Sequence, residues 1–363
     1  MPTLFDPIAL GAIHAPNRIL MAPLTRGRGT RDHVPTPIMG EYYAQRASAG
    51  LIISEATGIS QQGLGWAYAP GLWNAAQVEA WKPVVAAVHK AGGRIFAQLW
   101  HMGRIVHPSF LGGAAPVSAS ATTAPGEART YDGKQPFAEA RPLTLEEIPS
   151  LIEDYRNATR NALAAGFDGV QLHAANGYLI DQFMRDGTNK RTDRYGGSIE
   201  NRLRLLKEAT QALVDVAGAA RTAVRLSPND DPQGCGDSNT EALFLAAVEM
   251  LNGFNLAFLE MRASRPESTF RPATRDIVPQ IRKAYRGSLI LNSDYRLEDA
   301  TAALASGRAD GIAFGRTFLA NPDLPARLKA DAPLNAANVE TYYSQGAEGY
   351  TDYPTLDRAA AAQ

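Results

Sequence analysis

Short apolar runs rich in Val, Ile, Leu and Phe recur along the chain, and most are followed by apolar residues at helical spacing. The runs read as strands at 18–21, 51–54, 94–98, 169–172, 223–226, 256–260, 288–291 and 311–314. They are continuous rather than alternating, the pattern of a parallel sheet covered by helices. Eight such units close a (β/α) barrel, and 363 residues suit one with insertions. Between them, Val78, Trp81, Val85 and Val88 share one face of a helix over 76–90 that closes at Gly92 and Gly93. Thr144 and Glu147 form a capping box opening a helix to about residue 165. Ser198 is suited to cap another, whose Ile199, Leu203, Leu206, Leu213 and Val216 lie along one side.

Two segments fall outside this rhythm. Residues 8–14 read as a hairpin turning at Gly11, placed to plug the end of the barrel away from any site. Residues 103–143, rich in Gly, Pro, Ser and Ala, are too long for a simple connection and read as a lid over the rim. There is no internal repeat. The expectation is an α/β chain, one domain over 1–363: a single (β/α)8 TIM barrel with an N-terminal β-hairpin and a lid inserted after strand three. The 359–362 tail is expected to be disordered.

Composition narrows the function classes. Lys+Arg 36 against Asp+Glu 37 leaves no basic excess to hold nucleic acid or an acidic membrane surface. A lone cysteine, Cys235, excludes a disulfide framework and a four-thiolate zinc or iron–sulfur site. The most apolar stretch, 242–261, is broken by Glu249, Asn252, Asn255 and Glu260, so it does not read as a membrane span. The first residues lack the pattern of a signal peptide, and a cytoplasmic protein is expected. The histidines at 14, 33, 89, 101 and 107 show no metal-ligand spacing, and no metal is expected.

Chemistry is expected where strands end, at the C-terminal rim. After the first strand come Pro23, Leu24 and Thr25; after the second, Glu55 and Ala56; after the third, Gln98, Trp100 and His101. Gln98 is a buried amide, and both a satisfied core residue and a ligand contact remain open for it. Arg225 lies inside the fifth strand, where an unpaired charge is very costly, so it faces an anion or electron-rich group or pairs with a carboxylate. The last two strands lead into Asn292, Ser293 and Asp294, and into Gly315 and Arg316, the usual phosphate position of such a barrel. Together these suggest a planar, polar-edged ring carrying a phosphate, a description that flavin mononucleotide fits. No Gly-x-Gly-x-x-Gly turn or P-loop supports another nucleotide fold. At the end of strand four stand His173, Asn176 and Tyr178. The first two can hold a carbonyl oxygen and stabilise charge on it; the third can supply a proton.

In order and spacing, Met21–Arg26, Ser54–Thr57, Gln98–His101, His173–Tyr178, Arg194–Gly197 and Phe314–Thr317 resemble the Old Yellow Enzyme family of FMN-dependent ene-reductases. The resemblance runs over nearly the whole chain, and is nearest to the bacterial branch of N-ethylmaleimide and 2-cyclohexenone reductases. It implies tightly bound, non-covalent FMN, with Pro23, Leu24 and Thr25 lining the ring and Thr25 bonding a ring carbonyl. Ala56 and Gln98 would contact the ring edge, Arg225 would stabilise the reduced ring, and Asn292 to Asp294 with Gly315 and Arg316 would hold the phosphate. His173 and Asn176 would bind the substrate oxygen, Tyr178 would protonate carbon, and Trp66, Trp100 and Tyr350 would wall the pocket. The implied reaction is ping-pong: NADPH or NADH is the hydride donor, and small activated alkenes are reduced at C=C. A nitroester or nitroaromatic reductase using the same donors is the alternative. A monomer or homodimer is expected. Where other branches carry a second histidine, Asn176 stays neutral, so acid dependence of substrate binding is expected to come mainly from His173.

Overall fold

The computed structural model describes residues 1–264 and 273–357. Eight parallel strands close a barrel: β1 (Ile19–Met21), β2 (Leu51–Gly58), β3 (Ile95–Trp100), β4 (Gly169–His173), β5 (Thr222–Leu226), β6 (Phe258–Arg262), β7 (Leu289–Asn292) and β8 (Gly311–Phe314). Each pairs with the next in chain order, and β8 closes on β1 through Ile312 beside Ile19 and Phe314 beside Met21. This is a TIM barrel, as expected. Most expected strands agree within a residue or two; β2 runs longer, with a register shift against β3 between Ile53 and Ala56.

The continuous apolar runs hide a period of two. Leu20, Leu51, Ile53, Phe96, Ala223, Phe258, Ile290 and Ala313 pack together with Leu10, Ile13 and Ala15 of the hairpin. Their strand neighbours Ile19, Ile52, Ile95, Ala97, Val224, Leu259, Leu289 and Ile312 belong to a second cluster, shared with helix residues such as Trp81, Val85, Leu206 and Val248. Both faces of each strand are buried, one inside the barrel and one under helices, so the sequence shows no polar alternation there.

The hairpin (Ile8–Leu10 with Ile13–Ala15) closes the N-terminal end. Gly11 turns it at φ 59°, and Ala12 N–H donates to the Ala220 carbonyl at 2.8 Å. The helix Ala75–Lys90 is capped by Asn74, which accepts from Gln77 N–H. Glu147 does accept from Thr144 N–H at 2.8 Å, but regular helix begins only at Ile148 and runs to Ala164. The helix expected after Ser198 is two, Ile199–Arg202 and Arg204–Ala217, broken at Leu203. Residues 103–143 hold two short 3-10 turns, a parallel pair of Val117–Ser118 with Arg141–Pro142, and an antiparallel hairpin of Glu127–Thr130 with Gly133–Pro136. The expected disordered tail at 359–362 lies outside the described residues. Among the described residues no helix is long and apolar enough to cross a membrane.

A Cβ on Gly11 would sit 2.2 Å from the Ala220 carbonyl oxygen, on a backbone that L-residues rarely adopt. Gly11→Ala is therefore expected to destabilise the fold by about 2 kcal/mol or more, read as a lowered urea midpoint. An unchanged midpoint would mean that the hairpin is not seated against residue 220.

Candidate active site

On the inward face, the second tier of side chains is polar. Gln98 Nε2 donates to Gln171 Oε1 at 2.8 Å, and Gln171 Nε2 donates to Glu260 Oε2 at 2.7 Å. The other oxygen of Glu260 accepts from Arg225 Nε at 2.9 Å. Arg225 Nη2 donates to Asn292 Oδ1 at 2.7 Å, and the Asn292 amide donates to the Ala313 carbonyl at 2.7 Å. Five side chains from five adjacent strands thus form one chain across the interior. Arg225 is paired with a carboxylate, one of the two readings its sequence position left open. It also lines a cavity, and its Nη1 has no protein partner among the described residues.

That cavity opens at the C-terminal ends of the strands and has a volume of about 490 Å³. The structure brings most of the sequence-selected residues into its walls: Pro23, Leu24 and Thr25 after β1; Trp66; Asn176 and Tyr178 after β4; Arg225; Asn292, Ser293 and Asp294 after β7; Gly315 and Arg316 after β8. At the β7–β8 end, Ser293 and Asp294 take left-handed φ values of 137° and 47°, and Asp294 pairs with Arg316. Apart from Leu24 Cδ2 at 3.5 Å, nothing beyond the adjoining residues stands near where a Gly315 Cβ would be. A backbone left bare beside an arginine is a setting for a phosphate.

His173 ends β4, with its ring 5.0 Å from the Tyr178 ring and 6.3 Å from that of Trp100. Burial, then the nearby Arg225 and Arg262 guanidinium groups, push its pKa well below the usual histidine value. It is therefore neutral at neutral pH. Ala175 N–H donates to Nδ1 at 3.4 Å, so the remaining proton sits on Nε2, which is a donor. Titration of His173, from which acid dependence of binding is expected, is accordingly displaced below the usual histidine range. Asn176 stands in a left-handed turn at φ 63°. Its N–H donates to Ser227 Oγ at 2.8 Å, and its carbonyl accepts from Gln233 Nε2 at 2.9 Å. The next N–H, of Gly177, donates to Asp181 at 2.9 Å, and that carboxylate is itself paired with buried Arg185 at 2.7 Å.

Four sequence-selected residues lie behind the cavity wall. Ala56 and Gln98 are paired neighbours on β2 and β3, both buried. Trp100 is 1% exposed, packed edge-on against Tyr178 at 4.9 Å. His173 is 3% exposed behind Tyr178. Tyr350 is not brought to the pocket. Its ring is fully buried, stacked on Tyr42 at 4.0 Å, with the Arg28 guanidinium 4.5 Å away. The aromatic wall instead comes from Trp66, Tyr342 and Tyr343, with Trp66 and Tyr343 5.2 Å apart. Arg26 and Arg28 hold the Tyr342 carbonyl at 3.1 and 3.0 Å, so Tyr350 anchors the segment whose other tyrosines face the cavity.

Comparison with known proteins now settles the family. The model of the NADH:flavin oxidoreductase / NADH oxidase family matches residues 3–335. The chain belongs to that family. It is 43% identical to 12-oxophytodienoate reductase 2 of Arabidopsis thaliana over 98% of this chain and 96% of the relative. Among solved structures, the old yellow enzyme homologue from Zymomonas mobilis superposes with TM-score 0.96 at 60% identity, covering 98% of this chain and all of the other. Morphinone reductase in complex with tetrahydroNAD superposes with TM-score 0.93 at 44% identity, with 99% of each chain covered. The resemblance to the Old Yellow Enzyme family is therefore correct, and the chain is a flavin oxidoreductase of the ene-reductase kind.

Within this family frame, the sequence alone does not single out Gln171, Glu260, Arg262, Ser227, Asp181, Tyr342 or Tyr343. The signal for three of them was strand parity. Gln171 sits two before His173, Glu260 two after Phe258, and Arg262 two after Glu260, all on the inward face. The Tyr350 hydroxyl finds no hydrogen-bond partner among the described residues. Tyr350→Phe is thus expected to leave stability within about 1 kcal/mol and the KM for alkenes unchanged, because it deletes an unsatisfied buried group. Tyr350→Ala is expected to cost about 3–5 kcal/mol in a denaturant titration. A raised KM in the Phe variant with unaltered stability would return Tyr350 to the pocket wall.

Proposed function

We propose that this protein is an FMN-dependent NAD(P)H ene-reductase acting on activated alkenes: α,β-unsaturated ketones and aldehydes, maleimides and nitroalkenes. The carrying observation is a neutral imidazole held as an Nε2–H donor beside a buttressed asparagine, with a tyrosine ring against the imidazole. Two neutral donors from the end of one strand suit an oxygen that gains negative charge, because they would stabilise it without protonating it.

The residues present fit FMN. Pro23, Leu24 and Thr25 would flank the ring, Ala56 and Gln98 its edge, and Gly315, Arg316 and Asn292 to Asp294 the phosphate. Gln98 commits one amide N–H to Gln171, so its oxygen and its second N–H remain for the ring. Arg225 would meet the electron-rich edge with the nitrogen not committed to Glu260 or Asn292. Bound FMN supplies the hydride. His173 Nε2–H and the Asn176 amide would hold the carbonyl or nitro oxygen and draw electron density toward it. Tyr178 would give its proton to the carbon next to that group, and Trp66 and Tyr343 would bound the substrate. The same cavity would take nicotinamide donor and alkene in turn, in a ping-pong order.

The test is an anaerobic visible spectrum of the purified protein through NADPH and then 2-cyclohexenone addition. A yellow protein that bleaches and then recovers its colour is expected. A protein that neither carries nor takes up flavin would sink the reading, and bleaching without recovery would redirect it to nitro compounds. In the same assay Tyr178→Phe should bleach normally while recovery with the enone slows about 10²-fold or more. Equal slowing of both halves would remove Tyr178 from the proton-donor role. Enone binding should be flat between about pH 6 and pH 8, because His173 stays neutral there. A tenfold loss on falling through that window would show that His173 titrates in it.

A further inference from the structure

Asn176 is fixed at three of its four polar groups. Ser227 and Gln233 hold its backbone, as described, and Arg262 Nη1 donates to its side-chain Oδ1 at 3.0 Å. A guanidinium has only donors, so the amide atom facing Arg262 is the oxygen, and the NH₂ group points the other way. Arg262 is itself fixed: Nη2 donates to Asp230 Oδ2 at 3.0 Å, which balances its charge and orients its plane. It lies at the end of β6, two residues beyond Glu260, and both it and Asn176 line the cavity.

We propose that Arg262 is a positioning residue that sets which end of the Asn176 amide faces the substrate. With Arg262 in place, Asn176 presents a donor to the carbonyl or nitro oxygen. Without it, the amide can turn over and present its own oxygen, which repels the substrate oxygen and leaves His173 as the sole donor. Histidine at position 176 would present a proton through its tautomer; asparagine lacks that device and depends on an external donor to choose its orientation. The inference rests on the reading of Asn176 as a substrate-binding donor.

The test is a double-mutant cycle in the FMN-loaded protein with Arg262→Met, Asn176→Ala and the pair. The first readout is the dissociation constant of 2-cyclohexenone on the oxidised enzyme, followed by the visible flavin band without any NAD(P)H. The second is the KM against kcat split in turnover. Arg262→Met is expected to weaken enone binding about tenfold. In the Asn176→Ala background the same change should alter binding less than about twofold. An equal loss in both backgrounds would overturn the proposal, because Arg262 would then act on the substrate or fold directly; so would no loss in either. If Arg262→Met fails to load FMN, Arg262→Gln, which stays polar but offers an acceptor as well as donors and so no longer fixes the amide, takes its place in the cycle under the same criterion. A parent protein that reduces the enone while the cycle proves additive sinks this inference alone. A parent that binds no flavin sinks the functional reading instead.

Discussion

One of the buried ion pairs, Arg225 with Glu260, governs what the interior of this barrel can be. Both side chains are almost fully excluded from water, and their nitrogen–oxygen distance is 2.9 Å. Charges so placed are held by each other and by the hydrogen bonds to their remaining atoms, and deleting one partner of such a pair typically costs about 3–5 kcal/mol. Gln171 meets the second oxygen of Glu260, and Asn292 meets a second nitrogen of Arg225. Those two amides are thereby flipped one way only, and they pass the constraint on to Gln98 and the Ala313 carbonyl. The tier is thus rigid before any ligand arrives, which is what preorganised recognition of a polar ring edge requires.

The tier works because it has an apolar floor. Phe96, Phe258, Ile290 and the hairpin's Leu10 and Ile13 seal the end below it, so water cannot enter from that side to weaken the electrostatics. Moving two residues along β6 leads from floor (Phe258) to ion pair (Glu260) to site rim (Arg262). The same step along β4 gives Gly169, Gln171, His173. Strand geometry, with every second side chain inward, turns a linear sequence into a vertical gradient from dry packing to chemistry.

That gradient explains what was legible. The eight strands announced themselves because both of their faces are buried, and the rim residues because each follows a strand. Hairpin and barrel closure followed from the same spacing. What could not be read was pairing. Arg225 stood out as a charge inside a strand, but its partner Glu260 looked like no more than a break in an apolar run, since sequence spacing does not state which inward residues of neighbouring strands are level. Tyr350 was misplaced for a related reason. A tyrosine among four over residues 342–353 carries no mark of which ring faces a cavity; the carbonyls held by Arg26 and Arg28 decide it.

The arginines make the larger point about charge near the site. Arg225 and Arg262 both lower the pKa of His173, yet each is balanced by a carboxylate, Glu260 and Asp230. Unbalanced, two cations beside the imidazole would favour anions over neutral molecules, and would compete for the oxygen that His173 and Asn176 are proposed to hold. Balanced, they leave a site of neutral donors in a field that still disfavours imidazolium. In the proposed reaction a neutral donor would keep its proton when the oxygen it touches becomes negative, which would leave proton delivery to a group with different geometry, Tyr178, whose ring packs edge-on against His173 at 5.0 Å. Under that proposal, separating the group that stabilises charge from the group that gives the proton would let reduction add hydrogen to carbon and not to oxygen.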